Sequence, residues 1–208
     1  VDISASNTFG SSQQLKKDLA AEIAAVLAFS AIQNNDRVGL ILFTDGVETY
    51  IAPRKGTHHV LRVIREVLYF QPQRTGTRIT PALDFLNHVA TRKTVTFLIT
   101  DFLTDENLRK PLAVSARRHD LISVMVGDKR EQAWPPVGLV EWVDAETRAR
   151  FLVDTSDPAT RLALNDTQAR RKQDLLSLFR QSSVDAIEVF AGEAYEREFG
   201  RFFRMREL

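Results

Sequence analysis

Apolar positions along this chain switch repeatedly between a helical spacing and the continuous runs of buried strands. Leu15, Leu19, Ile23, Val26 and Leu27 recur at helical intervals, and Ala20, Ala21, Ala24, Ala25 and Ala28 fill much of the remaining surface. A helix apolar on nearly every side is expected to be well buried. Ser11 and Gln14 have capping-box spacing at its start, and Asn34-Asn35-Asp36 ends it. Residues 37–44 form a near-continuous apolar run, as in a strand covered on both faces. Asp45-Gly46 is a hairpin turn signal, and it hands over to an antiparallel return strand at 47–52, expected at the sheet edge.

The alternation continues downstream. A second helix is predicted over 57–70, with Val60, Leu61, Ile64, Val67 and Leu68 on one face. A polar loop at 71–78 contains Thr75-Gly76-Thr77. Thr80 and Pro81 then read as N-cap and first residue of a short third helix, with Leu83, Leu86, Val89 and Ala90 as its inner stripe. Residues 94–100 form the next buried strand, followed directly by Asp101. Thr104-Asp105-Glu106 reads as the acidic opening of a fourth helix that Pro111 interrupts or restarts. A strand at 121–126, a Pro-Pro loop, a hairpin of 139–143 with 149–153, a helix at 158–181, a strand at 185–190 and a helix at 193–206 complete the chain. Strands alternating with helices predict an α/β, Rossmann-like domain. It has a mostly parallel central sheet with one antiparallel edge strand, helices on both faces and a small added β-hairpin. No repeat, low-complexity tract or linker divides the 208 residues, so a single domain over 1–208 is expected. The chain opens in mid-strand, as an excerpt of a longer protein would.

Composition removes several function classes. Hydrophobic residues make up 44% and charged residues 26%, ordinary for a globular domain that buries roughly 70% of its unfolded surface. With 28 Lys plus Arg against 27 Asp plus Glu, the net charge of +1 argues for neither nucleic acid nor a charged membrane surface. The absence of cysteine rules out disulfides, thiolate metal sites and cysteine nucleophiles, and agrees with an expected cytoplasmic location. No apolar run approaches the roughly 18 residues of a membrane span, and no signal peptide is visible, so no membrane contact is expected from this segment.

The chemistry concentrates in three loops at strand carboxyl ends or before helices. Asp2-x-Ser4-x-Ser6 ends the opening strand, Thr77 precedes the third helix, and Asp101 follows the 94–100 strand. In open α/β sheets this edge is where ligands sit. Every donor is an oxygen, which suits Mg²⁺, Mn²⁺ or Ca²⁺ rather than zinc. Two carboxylates only balance a divalent charge, so an open coordination position would recruit a carboxylate from another molecule.

Asp-x-Ser-x-Ser followed by a later Thr and a later Asp resembles the metal-ion-dependent adhesion site of von Willebrand factor A domains. The resemblance narrows to the bacterial family called domain of unknown function 58. It is carried by Asn34-Asn35-Asp36-Arg37-Val38-Gly39-Leu40, Pro53-Arg54-Lys55-Gly56, Thr100-Asp101-Phe102, Asp144-Ala145-Glu146-Thr147 and Phe202-Phe203-Arg204-Met205-Arg206. The resemblance implies Ser4, Ser6 and Thr77 as direct metal ligands, and Asp2 and Asp101 as ligands directly or through water. It also implies association with MoxR-type AAA+ ATPases. Asn7 and Arg78 depart from the family pattern, where an apolar residue and an Asp are common. A cation at Arg78 would lower metal affinity or steer an acidic partner.

The bland readings are these. Asp2-x-Ser4-x-Ser6 alone would make an Asx-turn with Ser caps. Asp45 reads as a turn residue and Asp105 as a helix-start charge. His58 and His59 project on different sides of a helix, and His88 and His119 are expected to be solvated at element ends. Arg170-Arg171-Lys172 reads as a solvated helix face rather than a nucleic-acid site, and Trp134 and Trp142 as packing. Three functions are weighed. The first is a non-enzymatic interaction module in which a divalent ion accepts an Asp or Glu of a partner protein, working with the ATPase in complex assembly or maturation. The second is a Mg²⁺-dependent phosphate hydrolase, opposed by Ser4 standing where a second acid is needed and by the absence of hydrolase and nucleotide fingerprints. The third is a structural module with a vacant metal site. The first is the expectation.

Overall fold

Parallel strands buried on both faces must carry apolar side chains in both directions, and residues 95–100 and 120–127 do so. The computed structural model describes residues 1–5, 15–129, 135–143 and 149–206. In it α1 (Lys16–Gln33), β1 (Val38–Phe43), β2 (Val47–Arg54), α2 (Thr57–Tyr69), α3 (Thr80–Val89), β3 (Val95–Thr100), α4 (Arg109–Arg118) and β4 (Asp120–Gly127) follow in order. The hairpin β5 (Leu139–Val143) and β6 (Arg150–Asp154) comes next, then α5 (Pro158–Ser182), β7 (Asp185–Phe190) and α6 (Glu196–Arg206).

β3, β4 and β7 are parallel in that spatial order, Thr100 facing Met125 and Gly127 facing Phe190. β1 and β2 form an antiparallel pair. The opening residues join the two groups. Val1 N donates to Ile41 O at 2.8 Å and Ile3 N to Phe43 O at 2.9 Å, while on the other side Asp2 N donates to Ile99 O at 2.9 Å. The whole sheet therefore runs β2, β1, residues 1–3, β3, β4, β7. The chain leaves residues 1–3 through α1 toward β1, and reaches β3 on the opposite flank only later. Their carboxyl end is thus a topological switch point, where such sheets open a crevice.

Alternation sorts the side chains onto two faces. Ile99, Ile122, Val124, Val126 and Val189 pack with Leu19 and Ile23 of α1 and Phe202 of α6. Leu98 and Leu121 point the other way, to Ile79, Leu83, Leu112 and Phe179 beside α3, α4 and α5. α2 covers β1 on the side of α1 through Val63 and Val67. Helices on both faces, the antiparallel edge strand and the separate hairpin match the architecture expected from the sequence.

Several local expectations are corrected. Val26 of α1 and Leu61 and Leu68 of α2 stay about half exposed, because Ala20, Ala21 and Val63 take the inward positions. Thr80 does not cap α3. Ile79 stands at the N-cap, and the backbone N–H groups of Ile79 and Thr80 donate to Glu106 Oε2 at 2.5 and 3.2 Å. Glu106 accordingly does not open α4, which begins at Arg109 with Pro111 in its first turn, where a missing N–H costs nothing. His119 is buried rather than solvated, at 2% exposure. Ser11, Gln14, Trp134, the side chain of Trp142 and the 144–147 turn lie outside the described residues.

Candidate metal centre

Asp2 ends the central strand segment at 1% exposure, so its carboxylate must find partners within the protein. Oδ1 accepts from Ser4 N at 2.9 Å, and Oδ2 accepts from Thr100 Oγ1 at 2.6 Å. Burial raises its pKa above the ordinary carboxylate value and the negative charge of Asp101 raises it further, against the bonds from Ser4 and Thr100. Two like charges thus meet at one sheet edge, on adjacent strands.

Asp101 follows β3, and the chain turns sharply behind it. Phe102 adopts a positive φ of 56° and is 3% exposed, packed edge-on against Phe179. That left-handed residue folds Leu103 N back onto Asp101 Oδ1 at 3.0 Å. Asp101 Oδ2 accepts from Lys16 Nζ at 2.9 Å, and the two side chains are only 2% and 0% exposed. Lys16, the first residue of α1, is a member of this site that sequence reasoning missed. Its one signal is a misfit, since a cation in the first turn opposes the helix dipole.

Thr77 lies in the loop before α3 at 6% exposure. Hydrogen bonds tie the Thr77 loop to its neighbours: Ala5 N donates to Thr75 O at 3.1 Å and Thr104 Oγ1 to Thr77 O at 3.3 Å, while Arg78 N donates to Thr44 O of the β1–β2 turn at 2.9 Å. The structure therefore gathers the loops of Asp2, Ser4, Thr77 and Asp101 at one edge, while Ser6 lies outside the described residues. Arg78 does not point its charge into this group. Its side chain is 60% exposed and pairs with Glu106 at 3.5 Å.

The donor chemistry suits a hard divalent ion, with two buried carboxylates and hydroxyl-bearing residues and no thiolate or imidazole, although the Lys16 ammonium already pairs with Asp101. No group of three or more His, Cys, Asp or Glu suited to a metal occurs among the described residues, so an ion here would depend on the hydroxyls. Beside Asp101 opens a cleft of about 270 Å³ lined by Met125, Asp128, Arg171, Lys172 and Phe190 among others. The basic stretch of α5 is not merely a solvated face. Arg171 Nη2 donates to Phe102 O and Thr104 O at 3.2 and 3.3 Å, and Lys172 pairs with Glu188 at 2.6 Å.

Solved structures share this architecture. The conserved hypothetical protein BatB of Bacteroides thetaiotaomicron superposes with a TM-score of 0.63 at 14% identity, covering 100% of this chain and 96% of that one. An aerotolerance-related membrane protein of Bacteroides fragilis gives 0.64 at 15% identity with the same coverage. At these identities the likeness concerns the fold. In sequence, the uncharacterized proteins Rv1480 of Mycobacterium tuberculosis and Mb1516 of Mycobacterium bovis are each 28% identical over 210 residues, 99% of this chain. The chain spans 65% of the length of these relatives. Residues 1–174 match the family described as "Protein of unknown function DUF58". With most of its length inside that match, the chain belongs to the DUF58 family.

Proposed function

We propose that this domain is a von Willebrand factor A-like, non-enzymatic interaction module whose adhesion-type site holds Mg²⁺, Mn²⁺ or Ca²⁺ through Asp2, Ser4, Ser6, Thr77 and Asp101. A bound ion would supply an open coordination position for an Asp or Glu of a partner protein. The chain's own part is to fix two carboxylates and the hydroxyl oxygens at one edge before the partner arrives. The supporting observation is the set of hydrogen bonds joining the Asp2 turn, the Thr77 loop and the Asp101 loop. Work alongside a MoxR-type AAA+ ATPase, in assembling or maturing other complexes, belongs to this proposal through the family resemblance alone.

A second reading is favoured by Lys16, whose ammonium already lies 2.9 Å from Asp101. In it the domain binds partners without any ion. Calorimetric titration of Mg²⁺ separates the two. Wild type is expected to bind the ion, and Asp101→Ala to weaken it by about 10- to 100-fold. Equal heats in both proteins would remove the site, and partner capture unchanged by chelator would favour the ion-free module.

A further inference from the structure

We infer that Lys16 is a fixed charge of the site that makes the divalent ion and the partner's carboxylate bind cooperatively. This inference rests on the metal reading above and deepens it. Its basis is the ion pair between Lys16 Nζ and Asp101 Oδ2, at 2.9 Å with both side chains out of solvent.

Counting charge shows the effect. With both carboxylates ionised, as an ion would require, Asp2 and Asp101 contribute two negative charges and Lys16 one positive charge, so the site stands at −1 before the ion's own charge is added. A divalent cation takes it to +1, and one partner carboxylate then brings it to zero. A buried site is most favourable near neutrality, because uncompensated charge away from water is costly. Ion alone and carboxylate alone therefore each leave the site unbalanced, and only the two together settle it. Without Lys16 the order reverses. The site would start at −2, the ion alone would neutralise it, and a partner's acid would make it negative again. The count covers these three groups and leaves out the charges around them. Arg78 and Glu106 pair with each other, and Arg171 and Asp128, of opposite sign, both line the adjoining cleft.

The geometry also explains why the ammonium stays in place. Lys16 is the first residue of α1, whose Leu19 and Ile23 are locked into the core against Ile99. The ammonium cannot retreat far without moving the helix. An Asp101 carboxylate shared between Lys16 and an ion suits contact with the ion through its other oxygen or through water.

The test measures Mg²⁺ affinity by calorimetry on the full-length protein, with and without sodium acetate as the simplest carboxylate. In wild type, acetate is expected to tighten Mg²⁺ about tenfold, within the usual range of coupling between two ligands. In Lys16→Met, Mg²⁺ alone is expected to bind about tenfold tighter than in wild type, and the acetate effect to vanish or change sign. Lys16→Arg should keep the wild-type pattern. Lys16→Gln, which retains a hydrogen-bond donor toward Asp101, serves should the Met variant fail to fold. Wild-type protein that binds Mg²⁺ with no response to acetate overturns the role of Lys16 while leaving the metal site standing, as does a Lys16→Met protein with unchanged affinity and coupling. Wild-type protein that takes up no Mg²⁺ under either condition overturns the metal reading, and this inference with it.

Discussion

Glu106 carries more of the local structure than its neighbours. Its carboxylate accepts from two N–H groups at the start of α3 and pairs with Arg78, so it holds the loop bearing Thr77 against the loop that follows β3. Glu106→Ala is expected to lower stability by about 1–2 kcal/mol, the usual worth of an N-terminal cap. Urea denaturation should show it as a lower midpoint with an unchanged slope. The same residue marks what was legible at this scale. Asp2, Ser4, Thr77 and Asp101 could be picked out because each sits in a short motif at a strand or helix end. Glu106 and Lys16 could not, because their partners are distant in the chain. Lys16 meets a carboxylate 85 positions away, and Glu106 caps a helix 26 to 27 positions before it. Local spacing carries no record of such pairs.

Among the elements, hydrophobic period and turn chemistry were enough to place every strand, and the starts of helices were the weak point. α4 starts after Thr104-Asp105-Glu106 because Glu106 is engaged by α3, leaving Leu108 as N-cap. The β1–β2 hairpin, by contrast, was readable from Asp45-Gly46. Its register is irregular between Val38 and Leu40, and Gly39 lies at that irregularity. A Cβ there would come within 2.9 Å of Pro53 Cγ and 3.0 Å of Ile51 O. Gly39→Ala is therefore expected to cost about 1–3 kcal/mol through overpacking, seen as a lower thermal midpoint. A midpoint equal to wild type would mean that β2 can shift aside freely.

Across the whole molecule, the buried carboxylates and the buried histidine stand at opposite ends of the sheet. The two carboxylates stand at the carboxyl ends of the central strands. His119 sits at the amino end, closing α4 before β4, with Nδ1 3.1 Å from Thr94 Oγ1 and no partner for Nε2 among the described residues. Burial, and then the charge of Arg118, hold its pKa below the usual histidine value. The folded state thus resists the proton that the unfolded chain accepts near pH 6.5. Stability is full above that pH, falls as pH drops through it, and levels off below the depressed folded value. Denaturation midpoints measured from about pH 8 to about pH 5 should fall in this way, and His119→Asn should flatten the trend. A slope unchanged in the variant would assign the pH dependence to other groups. The fold class was legible because it depends on the alternation of strands and helices over the whole length. The buried histidine was not, since an isolated His at an element end carries no periodic signal.

The placement of residues 1–3 has a mechanical consequence. This segment is bonded to β1 on one flank and to β3 on the other, so the residues that lead into the Asp2 turn are also the spine of the sheet. Tension applied at Asp2 along the strand would load the hydrogen bonds to Ile41, Phe43 and Ile99 in shear, where they yield together rather than one after another. A domain gripped at that edge is therefore held at the point where it is hardest to unzip.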